Sequence, residues 1–303
     1  MTRSNGQPPA PPPEAPDAPD AGADVLGIEI DCLLEAVFRR WGYDFRNYSR
    51  AHVRRRLLHR MELSGMPSIP AMMHHALTER EFFGSLLAAL SINVTEMFRD
   101  PPFYRALREE IVPRLRTWPF VKIWHAGCAT GEEVYSMAIV LREAGLEGRA
   151  RIYATDFNPE ALRQARDGIY PLDAIRNYTR NYQAAGGEAS FSDYYTARYD
   201  SALLDRALRE HVVFSEHNLV TDGVFGEMHL IFCRNVLIYF NAQLQARALD
   251  LFHDSLCPGG FLCLGTKESM QFCGHPQAFE QVLPGQKIFR RKLAHGMPEG
   301  AEP

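Results

Sequence analysis

From Pro119 to Arg291, short apolar runs of β character alternate with stretches of helical period, and this alternation constrains the fold more than any other feature of the chain. The runs are PFVKIWHAG, RIYATD, HVVFSEHNL, HLIFC, GFLCLG and KIFRR. Between them lie a helix from Glu132 to about Ala144, a second opening at Asn158-Pro159 and a third from Asn241. Strands separated by helices pair in parallel, because a parallel neighbour is reached only through a crossover. The expected class is α/β, with a mostly parallel, doubly wound sheet. Between Asp167 and His211 a Tyr-rich, irregular stretch with Gly186-Gly187 is too long for a simple crossover, and a small subdomain or lid is expected there.

Upstream the spacing becomes helical. Ile30, Leu33, Leu34, Val37 and Phe38, then Val53, Leu57, Leu58 and Met61, then Phe82, Phe83, Leu86, Leu87 and Leu90 describe a small all-helical unit. Asp100, followed by Pro101 and Pro102, is expected to cap a further helix through Phe103, Leu107 and Ile111 that leads into the α/β domain. Residues 1–24 are rich in Pro, Ala and Asp with almost nothing to bury, so a disordered tail is expected there and again at 293–303. A chain of 303 residues that is 46% hydrophobic can bury one large domain and a smaller companion.

A net charge of −4 argues against general attraction to nucleic acid or anionic membrane. The sequence carries neither an apolar signal segment nor a run long enough to span a bilayer, so a cytoplasmic protein without membrane insertion is expected. Cys32, Cys128, Cys233, Cys257, Cys263 and Cys273 form no CxxC pair and no metal-ligand spacing, which predicts reduced, mostly buried thiols and no metal.

The first β run ends in HAGCATGEEVYS, which places Gly127, Ala129, Thr130 and Gly131 at a strand-to-helix turn where small residues let a ligand approach the backbone. The next run ends in Asp156, a carboxylate placed to accept hydrogen bonds from both hydroxyls of a ribose. A dinucleotide site would bring a pyrophosphate to the helix N-terminus, where Glu132 and Glu133 would repel it. The acidic pair favours an uncharged or cationic ligand, and S-adenosylmethionine has a ribose and an adenine, no phosphate, and two cationic groups.

In order along the chain, SINVTEMFRDPPFY, HAGCATGEEVYSMAI, YATDFNPEALRQARDGIY, HNL and IFCRNVLIYF resemble the chemotaxis protein glutamate methyltransferase family, over roughly residues 28–290. The resemblance implies a Rossmann-like S-adenosylmethionine methyltransferase domain over 96–292, an all-helical domain over 25–95, and a small β-containing subdomain inserted at about 168–210. It implies that Asn93, Thr95 and Arg99 reach from the linker into the cofactor pocket, with Met97 replacing a Phe of the family's segment. Gly127 lies at the cofactor turn, where Ala129 stands in place of a common Ser. One of Glu132 and Glu133, with Glu133 preferred, meets the methionine moiety. Asp156 is the ribose ligand, Asn218 and Leu219 line the adenine pocket, and Arg234, Asn235 and Tyr239 end the fourth strand beside the reactive methyl.

The reaction so implied is methylation of receptor glutamates, giving methyl esters and S-adenosylhomocysteine. Opposite charges vanish as the bond forms, and a glutamate is already ionised at neutral pH, so no general base is required. Arg99, Arg234 and Tyr239 are the candidate catalytic residues: the arginines would hold the incoming carboxylate and the tyrosine would cap the methyl site. One arginine is expected to orient substrate and the other to be partly structural, bonding a backbone carbonyl or Asp100. For Arg234 the rival reading is a strand-end ion pair, and for Tyr239 it is ordinary aromatic packing.

Residues 46–60 contain Arg46, Arg50, Arg54, Arg55, Arg56 and Arg60 and no acid. Arg50, Arg54, Arg55, Arg56 and Arg60 are read as a docking surface for the cytoplasmic helical domain of a chemoreceptor; a merely solvated helix and nucleic-acid contact are the rivals, nucleic acid ranking last. A monomer is expected. The alternative to an enzyme is a non-catalytic cofactor-binding regulator that docks to a receptor or sensor. A methyltransferase for small molecules or RNA would need neither the helical domain nor the NxTxxFR segment.

Overall fold

The computed structural model describes residues 24–91 and 95–293. Asn93 and nearly all of both expected tails lie outside the described residues.

Four helices, α1 (Val25–Trp41), α2 (Arg50–Leu63), α3 (Ile69–Thr78) and α4 (Arg80–Leu90), form the N-terminal unit. Their apolar stripes meet in a core of their own, with Leu33, Val37, Leu57, Met72 and Leu86 fully enclosed. Local chemistry sets the boundaries. Gly42 takes the left-handed conformation that ends α1, and the Ser68 hydroxyl accepts the Ala71 N–H (3.3 Å) at the start of α3.

A helix then leads to the sheet as α5 (Pro101–Ala106), a π-turn (Leu107–Ile111) and α6 (Val112–Leu115). β1 (Val121–Ala126), α7 (Glu132–Glu143), β2 (Ala150–Asp156) and α8 (Pro159–Asp167) begin the α/β domain. The insert follows as β3 (Ile169–Pro171), α9 (Leu172–Ala184), β4 (Tyr195–Arg198) and β5 (Ser201–Leu204). After the short helix α10 (Arg206–Arg209) come β6 (Val212–Glu216), β7 (Met228–Cys233), α11 (Ala242–Ser255), β8 (Leu256–Leu264), β9 (Phe279–Leu283) and β10 (Ile288–Arg291).

The sheet order is β6-β2-β1-β7-β8-β10-β9. The first five strands run parallel, and β10 pairs antiparallel with both β8 and β9. The sheet is thus doubly wound and mostly parallel, as expected, with one strand more than the six runs suggest. FEQVL is too short and too polar to read as a strand alone; its pairing with β10 makes it one. One face packs on α7 and the α5–α6 segment, the other on α11.

The insert is more regular than the sequence suggests. It is a three-stranded antiparallel sheet, β3-β5-β4, backed by the helix α9. Tyr170, Tyr178, Tyr182 and Tyr194 are buried against the main domain, so most of its tyrosines are packing residues. Of the six cysteines, Cys32 is exposed and the other five are buried, all as free thiols.

Candidate active site

From β1 the chain winds outward to β2 and β6, then returns to place β7 on the other side of β1, so the carboxyl ends of β1 and β7 open a crevice at the point where strand order reverses. The helical unit closes that crevice from above. Ser49 N–H donates to the Tyr239 carbonyl (2.7 Å), Asn241 N–H to the Asn47 carbonyl (2.9 Å), and the Tyr48 and Phe240 rings meet edge to face. The resulting cleft, counted together with the open space at its mouth, holds about 1100 Å³ not filled by protein atoms.

Of the sequence-predicted residues, Thr95, Arg99, Gly127, Glu133, Asp156, Asn218, Leu219, Arg234, Asn235 and Tyr239 all line this cleft. Arg56 of α2 joins them, as does His52, which the sequence reading did not single out.

The turn after β1 needs its small residues. Gly127 has φ +78°, and a Cβ there would lie 2.7 Å from Val236 Cγ2. Asp156 braces the same turn: its Oδ2 accepts the Ala129 N–H (2.9 Å) and its Oδ1 the Asn158 N–H (2.9 Å), while the residue itself lines the cleft. Burial pushes the Asp156 carboxyl up, opposed by these backbone donors.

The acidic pair splits. Glu132 is turned away from the cleft: it accepts from the Thr130 hydroxyl (2.6 Å) and lies near the Tyr178 hydroxyl, and burial raises its pKa. Its predicted place among the cofactor ligands is therefore not met by the geometry. Glu133 faces the cleft, where its Oε1 accepts from His125 Nδ1 (3.2 Å) and its Oε2 from Arg234 Nη1 (2.9 Å). Burial pushes the Glu133 carboxyl up, but His125 and Arg234 outweigh it and hold it below the ordinary value.

Arg234 is spoken for. Its Nη2 donates to Asp100 Oδ2 (2.6 Å), its guanidinium lies 4.0 Å over the Phe103 ring, and its side chain is 1% exposed. A guanidinium enclosed between two carboxylates has no room to grip a third, so the reading of Arg234 as a catalytic group gives way to its rival, a structural ion pair. Asp100 is corrected with it: the residue precedes α5 with φ +59° and makes no side-chain cap, because its carboxylate is turned to Arg234.

The basic helix also divides. Arg50 pairs with Asp31, Arg54 with Asp24 (2.9 Å), and Arg46 with Asp44 and Glu35, so these arginines meet carboxylates on or beside α1. Arg60 turns to α4, donating to the Ser85 hydroxyl (2.6 Å) over the Phe82 ring. The predicted docking set is thus not one free surface. Arg55, near His52 Nδ1 (3.3 Å), and Arg56, in the cleft, stay on the open side, next to Tyr239, whose ring meets His52 edge to face.

Three supporting residues escape a sequence reading. His125 orients Glu133, Glu268 lies behind the Asn235 turn, and Asn181 of α9 donates to the Met97 carbonyl (3.1 Å), tying the insert to the segment that carries Thr95 and Arg99. His125 sits inside the quoted HAGCATGEE motif; the other two bond only backbone, which no motif marks.

Two family models match almost the whole folded chain: "CheR methyltransferase, all-alpha domain" over residues 28–91 and "CheR methyltransferase, SAM binding domain" over 93–288. The chain is 52% identical over 264 residues to "Putative methyltransferase Cher3" of Pseudomonas putida, across 87% of this chain and 97% of that protein. It is 32% identical over 246 residues to "Chemotaxis protein methyltransferase 2" of Vibrio cholerae, across 77% of this chain and 82% of the relative. S-adenosylmethionine suits the lining described: two carboxylates for its ribose and ammonium, the apolar Leu219 and Val236, and acidic residues where a phosphate would otherwise sit.

Proposed function

The chain belongs to the CheR methyltransferase family, whose cofactor is S-adenosylmethionine, and from that premise we propose that it methylates glutamate side chains on the cytoplasmic helical domain of chemoreceptors. The observation that carries this reading is the division of charge across one cleft. Glu133 and Asp156 line it at the strand ends, and Arg56 and Arg99 lie near Tyr239, whose ring meets His52 of α2. Relatives named as chemotaxis protein methyltransferases support the substrate class.

When bound, S-adenosylmethionine supplies an electrophilic methyl on a cationic sulfur. Glu133, held ionised by His125 and Arg234, is the residue to receive the ammonium group, and Asp156 keeps acceptors for the ribose. Thr95, Asn218, Leu219 and Asn235 complete the lining, and Asn93 belongs with them by motif. Arg99 and Arg56 orient the incoming glutamate, while Tyr239 screens it from water. Such alignment is worth up to about 7–11 kcal/mol in reactions of this kind. The substrate needs no base because its carboxylate is already ionised near neutral pH.

The test is transfer of labelled methyl from S-adenosylmethionine to membranes holding chemoreceptors, read as base-labile ester. Ester formed by the wild type and lost in Arg99→Ala supports the proposal. Cofactor binding with no ester on any receptor would turn the reading to a regulator that docks without catalysis.

A further inference from the structure

The turn after β7 brings Arg234, Asn235 and Val236 to the cleft, and one buried carboxylate holds it from behind. Glu268 is 4% exposed. Its Oε2 accepts the N–H groups of Asn235 (3.0 Å) and Gly265 (2.5 Å), and its Oε1 those of Val236 and Leu237 (2.8 Å each). Four backbone donors on one carboxylate make a clamp, since three consecutive N–H groups of the turn are fixed by a single rigid acceptor.

Two further observations show what the clamp is set against. Asn235 has φ +62°, a left-handed conformation that favours glycine and that asparagine tolerates better than most residues, so the turn's shape suits its residue and the clamp holds it there. A Cβ on Gly265 would stand 2.8 Å from Glu268 Oε2 and 2.9 Å from Asn235 N, so the approach of carboxylate to turn depends on glycine there. On the cleft side, Val236 bears on Gly127. Turn and clamp together therefore fix the spacing between the β1 and β7 ends, the two lips of the cofactor cleft.

We propose that Glu268 is a positioning residue for the cofactor: it imposes the Asn235–Leu237 backbone and so holds Asn235 and Val236 against the Gly127 turn. This rests on the reading that the cleft binds S-adenosylmethionine. Glu268→Gln sets an amide N–H₂ against backbone donors and opens the clamp, and Glu268→Asp keeps the charge but draws it back by one methylene.

The experiment measures S-adenosylhomocysteine binding by calorimetry, together with hydrogen exchange of the turn amides, in the full chain. In folded Glu268→Gln the dissociation constant is expected to rise about tenfold, the scale of one lost buried hydrogen bond, and the amides of residues 235–237 lose protection while those of β1 keep theirs. Glu268→Asp falls between. Wild-type affinity in folded Glu268→Gln overturns the proposal, and so does wild-type affinity in Glu268→Asp should the first variant not fold. A wild-type chain that binds no S-adenosylhomocysteine would instead overturn the cofactor reading of the cleft.

Discussion

Arg234 and Arg56 face the same cleft from opposite walls, and their surroundings give them opposite tasks. Arg234 is enclosed by Asp100, Glu133 and the Phe103 ring, so its charge is spent inside the protein. Arg56 is half-buried and lines the cleft, and no carboxylate among the described residues pairs with it. A buried guanidinium matched by carboxylates is scaffold, whereas one at an open wall is available to a carboxylate on another molecule. The same contrast separates Glu133, fixed and ionised, from Arg54, whose pair with Asp24 lies half in water.

The sharpest way to break this comparison is Arg234→Ala. Removal leaves Asp100 and Glu133 facing one another without a cation, and a loss of about 3–5 kcal/mol is expected by chemical denaturation. A variant that stays fully stable and loses only methyl transfer would move Arg234 back among the substrate-binding groups.

Next in size is Asp156→Asn. An ionised Asp156 offers the acceptors a ribose needs, and burial raises its folded-state value above the ordinary 3.8. Cofactor affinity is therefore constant above that raised value and falls as pH drops through it, earlier than an ordinary aspartate would require. The variant is expected to bind about tenfold more weakly, without that pH dependence, in calorimetric titrations at several pH values.

Arg56→Ala is expected to raise the KM for receptor about fivefold, more steeply at low salt, with S-adenosylhomocysteine affinity unchanged. Arg54→Ala should cost less than about 1 kcal/mol of stability and leave transfer intact, since its ion pair is exposed. A loss of transfer in Arg54→Ala as large as in Arg56→Ala would restore the uniform basic surface read from the sequence.

Much of the layout was legible because it follows from periodicity and from turn chemistry. The alternation of β runs and helices fixes the doubly wound sheet, and the small residues from Gly127 to Gly131 mark the turn beneath the ligand. The cleft-lining residues came from ordered motifs, which place strand ends even where side-chain directions are unknown. Direction is where the reading stopped. Glu132 and Glu133 are neighbours in sequence and point to different sides of α7, a difference of one helical step that composition does not encode. The arginines of α2 looked like one patch because their partners, Asp24, Asp31 and Ser85, lie on or beside other helices. β9 escaped because its strand character comes from pairing with β10 rather than from its own residues.

The most direct test of the account is steady-state transfer of labelled methyl to receptor glutamates, with S-adenosylmethionine and receptor varied in turn for Asp156→Asn and Arg56→Ala. The account predicts base-labile ester from the wild type, a raised KM for cofactor alone in Asp156→Asn, and a raised KM for receptor alone in Arg56→Ala. Absence of ester from the wild type, or a common rise of both constants in both variants, would contradict a cleft with one wall for each substrate.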